Sequence, residues 1–298
     1  MNEIEKINIH IEAVKDFLRE KGIKEEYLVF GGEEPDPEKP DRAPTMSFSN
    51  FLPNRAMGDW AEETVSKHIN EFSAIKSIQY GDNDDRQAGD DGFNEYYLEG
   101  KKETRKYGKR PDLLIFQKDT QTPDELSSFS TENSDKFVSK SIAAVEVRSS
   151  KHLSDVFAKH KRKLSETKRI PKLDMTLKFT VKVEDLKIVY RWIERQNVPQ
   201  FYCQVFFDSI YLINVKEIFK IIAEGRGSVK IEKPAASQLK STIFIPITRG
   251  VVIGNVNEAP NFEAKTKISD SGKIDAYVVP VGGKFVLDEE QFLNYIKQ

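Results

Sequence analysis

The sequence predicts an α/β fold, a central mixed β-sheet flanked by helices. Three observations carry this. Two apolar runs of strand length, Leu113 to Phe116 and Ile142 to Val147, are bounded by charged and turn residues, as buried strands are. Segments in which apolar residues recur at three and four alternate with such runs, the period of a helix packed on one face. Two further runs, Phe201 to Phe207 and Ile210 to Val215, meet at Asp208-Ser209 as a tight hairpin, which adds antiparallel pairing to the sheet.

The elements follow in order. Ile4, Ile7, Ile11, Val14 and Leu18 make residues 3–21 an amphipathic helix, with Gly22 as its stop. The segment 32–45 is Pro-rich and acidic, a linker or surface arm. Met57, Ala61, Val65, Ile69 and Phe72 give a second helix over 54–72. The acidic, Gly/Asn-rich stretch 80–95 lacks the spacing of a twelve-residue calcium loop and reads as a solvated loop. Residues 93–99 read as a strand, followed by a basic run that contains Lys101, Lys102, Arg105, Lys106, Lys109 and Arg110. The polar segment 117–140 is a long connection with at most a short helix. Ser149 and Ser150 are N-cap candidates for a basic helix beyond them, lined by Leu153, Val156, Phe157 and Leu164. His152 and His160 lie eight apart, outside the i, i+4 spacing of a metal pair.

Met175 to Thr180 reads as a strand, and Leu186, Val189, Tyr190 and Ile193 mark a helix that ends at Asn197-Val198-Pro199. A short helix spans 215–223, and a Gly-rich basic loop fills 224–242. Strands follow at Ile243 to Ile247, near Val251 to Ile253, and from Ala276 to Val281 before the turn Gly282-Gly283. Asp288, with Gln291 three residues on, opens a last helix.

Each of the two apolar runs carries one carboxylate, Asp112 and Glu146, that a buried strand does not need. Such groups are costly unless paired or bound to a metal. Two of them on neighbouring strands raise each other's pKa unless a cation lies between them. A divalent metal held by Asp112 and Glu146 is the economical explanation. With the Val147 carbonyl, the donors are hard oxygens, which suit Mg2+ better than zinc.

Pro111-Asp112, followed in the next run by Glu146-Val147-Arg148, resembles the PD-(D/E)XK nuclease signature, and in particular type II restriction endonucleases. The departure is Arg148, where that signature has lysine. The stretch from Phe179 to Ile213 also resembles these enzymes, in which the hairpin extends the catalytic sheet. The segment Gly58 to Glu63 resembles the helix that precedes their metal strand, which makes Glu62 a candidate for a second metal or a water. Read without the resemblance, Glu62 is a solvated helix carboxylate. The resemblance implies a restriction-endonuclease-like fold over 46–298 with embedded DNA-recognition loops, preceded by a helical segment at 1–31 and the linker at 32–45.

It further implies Mg2+-dependent, sequence-specific hydrolysis of double-stranded DNA, with one or two Mg2+ per active site. Asp112, Glu146, Arg148, Glu62 and Lys182 are the candidate catalytic residues; Asp112, Glu146, Val147 and Glu62 are the candidate metal ligands. Arginine stays protonated near neutrality, so Arg148 can clamp a phosphate but cannot act as a base. Lys182, at a strand-to-helix junction, and Glu62 are left as alternatives beside the substrate phosphate for receiving the water proton. Lys109, Arg110, Lys151, Arg226 and Lys240 are candidate DNA contacts.

Composition adds bounds. At 298 residues there is ample length for a core, and 38% hydrophobic content with a net charge of −2 reads as soluble and globular. The near-neutral balance leaves DNA affinity to local basic patches. The single cysteine, Cys203, and four histidines disfavour a disulfide or a structural zinc site. No run approaches the roughly 18 apolar residues of a membrane span, and the charged N-terminus lacks a signal core, so a cytoplasmic, prokaryotic setting is expected. The expected partners are a palindromic DNA site, a second copy of the chain through the N-terminal helix or C-terminal strands, and a DNA methyltransferase as genetic partner. A repair or recombination nuclease of the same superfamily and an inactive DNA-binding protein remain the rival readings.

Overall fold

The computed structural model describes residues 1–32, 40–45, 47, 50–82, 84, 86–168, 176–225, 230–232, 241–270 and 272–298. Its frame is a seven-stranded mixed sheet, the predicted α/β architecture. In chain order the strands are β1 (Ile75–Gln79), β2 (Leu113–Gln117), β3 (Ala143–Ser149), β4 (Lys178–Lys182), β5 (Gln200–Val205), β6 (Ser209–Asn214), β7 (Lys230–Glu232), β8 (Thr242–Pro246), β9 (Val251–Glu258), β10 (Asn261–Ile268), β11 (Ile274–Val281) and β12 (Lys284–Leu287). The large sheet runs β1-β2-β3-β5-β6-β9-β12; among the described residues only β3 and β5 pair in parallel. β4, β8 and β7 form a second small sheet, and β10 with β11 a separate two-stranded ribbon.

The helices are α1 (Glu3–Glu20), α2 (Phe51–Glu71), α3 (Phe93–Tyr107), α4 (Thr131–Val138), α5 (Ser154–Lys168), α6 (Val183–Gln196), α7 (Val215–Glu224) and α8 (Glu289–Ile296). None of the described helices is long and apolar enough to cross a membrane. Asn2 and Glu5 cap α1 reciprocally, and its stripe Ile7, Ile11, Val14 and Leu18 is buried in the same core as α6 and α7.

The two faces of the sheet are legible in the strands, because successive side chains point to opposite sides. In β2, Leu114 and Phe116 enter the core shared with α1, α6 and α7, whereas Leu113 and Ile115 enter the core shared with α2 and α8. In β3, Ala144 faces the first core and Val145 and Val147 the second. Glu146 and Arg148, two and four residues beyond Ala144, therefore project on the α6 side. The hairpin β5–β6 extends the sheet from β3, with Val205 opposite Ile210.

Three expectations need correction. Residues 93–99 are not a strand but the first half of α3. Phe93, Tyr96 and Tyr97 suggested an extended segment, but the Glu, Lys and Arg residues that follow are strong helix formers. The helix runs on until Gly108, at φ +87°. Ser149 and Ser150 do not cap a helix: β3 stays paired with β5 through Ser149 and Val205, the Ser150 amide donates to the Val205 carbonyl (2.9 Å), and α5 begins only at Ser154. The C-terminal part holds more sheet than expected, because β10 and β12 join β9 and β11. Met175, the expected start of β4, lies outside the described residues.

Gly108 sets where the chain enters the site. A Cβ there would overlap the Trp192 amide and the Ile188 carbonyl of α6. The Lys109 amide, next along, donates to the Ile188 carbonyl at 3.0 Å. Replacing Gly108 by alanine should cost about 3 kcal/mol or more, from backbone strain plus overpacking. Denaturant unfolding of the variant checks this; a loss under about 1 kcal/mol would contradict it.

Candidate active site

The antiparallel pairing of β2 with β3 ends at Leu113 opposite Val145. Asp112, the bend residue immediately before β2, comes next, within electrostatic reach of Glu146 on β3. Asp112 Oδ2 accepts a hydrogen bond from the Val147 amide at 2.6 Å. Val147 lies past the last β2–β3 pair, so its edge on the β2 side meets Asp112, while its other edge stays paired with β5. The Asp112 carbonyl in turn accepts from the Tyr80 and Gly81 amides (2.8 and 3.0 Å). Gly81 is required there: a Cβ would stand 2.9 Å from Asp112 Cα and 3.2 Å from its Oδ1.

Glu146 is 4% exposed. Its Oε1 meets the Lys109 ammonium and lies 3.4 Å from Arg148 Nη2; its Oε2 is buried without a hydrogen-bond partner. Arg148 also donates from Nη1 to the Thr180 carbonyl (3.0 Å), and its guanidinium lies 4.7 Å from the Tyr202 ring centroid. Tyr202 is the Cα partner of Glu146 on β5.

Burial, reinforced by the Glu146 and Glu62 carboxylates, holds the Asp112 carboxyl well above its ordinary pKa. Burial, with Asp59 and Glu146 beside it and against the pull of Arg55 and Lys109, raises Glu62 to about 7. Burial alone would lower the Lys109 pKa, but Glu146 and Asp112 outweigh it, and the ammonium is held above the usual lysine range. Two open clefts reach these groups. One of about 700 Å³ is lined by Lys109, Glu146, Arg148, Lys151 and Asp185; the other, about 790 Å³, by Lys109, Asp112, Lys102 and Arg110.

The structure thus brings Asp112, Glu146, Val147, Arg148 and Lys109 together, with Glu62 of α2 within electrostatic reach. It does not bring Lys182 to them: its ammonium bonds Thr242 Oγ1 at 2.6 Å. Arg110 turns inward, with Nη2 on Glu103 Oε1 and the Phe129 carbonyl (both 2.7 Å) and Nε on Thr131 Oγ1 (3.0 Å). Lys151 is exposed at the rim, 3.2 Å from Asn54 Oδ1. Arg226 and Lys240 lie outside the described residues. The inward aim of Lys109 was not anticipated; its adjacency to Gly108, a glycine between a helix and a strand, was the available signal.

A family profile described as AccI restriction endonuclease matches residues 26–166 and 149–297. The chain belongs to the AccI restriction endonuclease family. No curated protein and no solved structure was found to match it. An AccI-family restriction endonuclease is a site-specific deoxyribonuclease, a hydrolase whose substrate is DNA, and the site described here lies on the α/β frame expected of such an enzyme.

The donor set of this AccI-family site suits a hard divalent cation. Two desolvated carboxylates lie within electrostatic reach of one another, and one buried oxygen, Glu146 Oε2, has no partner. Among the described residues no group of three or more His, Cys, Asp or Glu side chains is arranged to hold a metal. Mg2+ does not need one, since it is ordinarily held by one or two carboxylates plus waters and substrate phosphate. The raised Glu62 pKa has a sign that can be checked. Its proton is bound more tightly in the folded state, so its contribution is present below about pH 4.5 and is lost as pH rises through about 7. Without metal, wild type should lose stability relative to Glu62→Gln between about pH 5 and about pH 8. Thermal melts of the two at both pH values test it; a constant difference would refute the assignment.

Proposed function

We propose that this protein is a type II restriction endonuclease that hydrolyses phosphodiester bonds at a specific site in double-stranded DNA, dependent on Mg2+. The observation that carries this reading is the juxtaposition of Asp112 and Glu146, with Glu146 Oε2 buried and unpartnered in a residue that lines a cleft. Asp112, Glu146 and the Val147 carbonyl would hold the ion, with Glu62 positioned for a second ion or a water. When bound, Mg2+ makes a nearby water more acidic and offsets charge on the scissile phosphate.

The chain's own groups supply the rest. The Val147 amide fixes the Asp112 carboxylate, and the Lys109 and Arg148 cations orient Glu146 through its Oε1. Hydrolysis forms one P–O bond to water and breaks one P–O ester bond, so the water must lose a proton and the leaving oxygen gain one. Glu62, raised to about 7, is matched to accept that proton near neutrality. Arg148 clamps developing negative charge but does not take a proton. Lys151 at the rim and the basic helix α5 offer phosphate contacts along the groove.

The enzyme works as a homodimer on a palindromic site in this reading, with a DNA methyltransferase as its genetic partner. The ribbon β10–β11 supports self-association. Phe262, Ala264, Thr266 and Ile268 share one face with Val278, Ala276 and Ile274, and all are exposed. Two strands alone are marginal in water, and an uncharged apolar face of this kind marks a protein contact rather than a phosphate one.

Cleavage of phage or plasmid DNA gives the test. Wild type with Mg2+ should yield discrete bands, and Asp112→Ala or Glu146→Ala should lose about 10²–10³-fold or more in rate while still binding DNA. Smears, or undiminished cutting by Asp112→Ala, would overturn the proposal. In sedimentation, wild type should run as a dimer and the double variant Ile268→Lys, Ile274→Lys as a folded monomer; an unchanged dimer would discard the ribbon as the interface.

A further inference from the structure

Arginine stands in the sequence position where the nuclease signature has lysine, and the geometry points to a division of labour that the motif does not encode. We propose that Lys109, not Arg148, supplies the cation that touches the attacking water and the scissile phosphate, and that Arg148 is a positioning residue for Glu146. This rests on the reading of Asp112 and Glu146 as the catalytic carboxylates.

Arg148 is locked in place. Its guanidinium stacks on Tyr202 and one of its nitrogens donates to the Thr180 carbonyl, while Nε is buried without a partner. A planar fork held on an aromatic face and a main-chain oxygen orients its neighbours well but has little freedom to follow a substrate. Its remaining contact, Nη2 to Glu146 Oε1 at 3.4 Å, steadies that carboxylate from the side of β4.

Lys109 is placed differently. Its backbone is fixed to α6 by the close approach of Gly108 and by the hydrogen bond to the Ile188 carbonyl, so the root of the side chain is rigid. Its ammonium rests on Glu146 Oε1, yet the side chain keeps 35% of its surface exposed. It lines both of the clefts that open on the carboxylates. A compact ammonium with three donors on a flexible stem can keep one hydrogen bond to Glu146 and direct the others to a water and a phosphate oxygen. Lys182, the other lysine considered for this role, is engaged with Thr242 Oγ1.

The test uses full-length enzyme, a plasmid that wild type cuts in Mg2+, and binding of the same DNA with Ca2+ in place of Mg2+. Lys109→Ala should cut about 10²–10³-fold more slowly, with DNA affinity within about threefold of wild type. Mn2+ binding, followed by calorimetry, should be as tight as in wild type or tighter, because the variant lacks the ammonium that competes with the ion for Glu146. Lys109→Gln keeps the stem and a donor; should the alanine variant fold poorly, it is read the same way. Cutting by a folded Lys109 variant within about threefold of wild type, or a loss of Mn2+ or DNA affinity as large as the loss of rate, would overturn the proposal. Asp112→Ala separates the two readings. If it cuts like wild type, the carboxylate site itself is wrong; if it is inactive while Lys109→Ala cuts normally, only the assignment of Lys109 fails.

Discussion

Two carboxylates out of water and within electrostatic reach of one another are the constraint on which the rest of the structure depends. Two like charges brought within contact range at an effective dielectric near 20 repel by a few kcal/mol, a sizeable part of a domain's net stability. The fold answers with the Val147 amide on Asp112 and with two cations on Glu146, and it leaves Asp112 with a raised pKa and one Glu146 oxygen without a partner. A stability-optimised core would have apolar residues here. The retained strain points to a ligand that relieves it, which fits a hydrolase that works on a polyanion.

The architecture explains how the pair is held. β2 and β3 lie within a seven-stranded sheet covered on both faces, so neither strand can slide without moving apolar side chains between two cores. At Gly81 and at Gly108 backbone approaches backbone too closely for a side chain: the first seats Asp112, the second seats Lys109 on α6. The Glu146 cations therefore come from different layers. Arg148 comes from the strand itself and Lys109 from the segment between α3 and β2.

Much of this was legible in the sequence because it is local. The runs at Leu113 and Ile142, the hairpin at Asp208 and the helix ending at Asn197, which takes the left-handed conformation, carry periodicity and turn signals within a few residues. The carboxylate pair was legible because a buried strand has no other use for an acid. The α3 segment was misread because a short aromatic cluster imitates a strand, whereas its helical identity rests on the charged residues beyond it. The inward turn of Lys109 was not legible: a lysine in a basic run reads as solvated, and its aim depends on contact with Ile188 and Trp192, far away in the chain. The junction position of Lys182 is local and legible, but the Thr242 hydroxyl that takes its ammonium is not.

The central claim is that Asp112 and Glu146 grip one divalent ion. Anomalous diffraction from crystals soaked in Mn2+ measures it directly. The account predicts a peak within coordination distance of both carboxylates and near the Val147 carbonyl. A clear Mn2+ peak elsewhere, with the space between Asp112 and Glu146 empty at saturating ion, would contradict it.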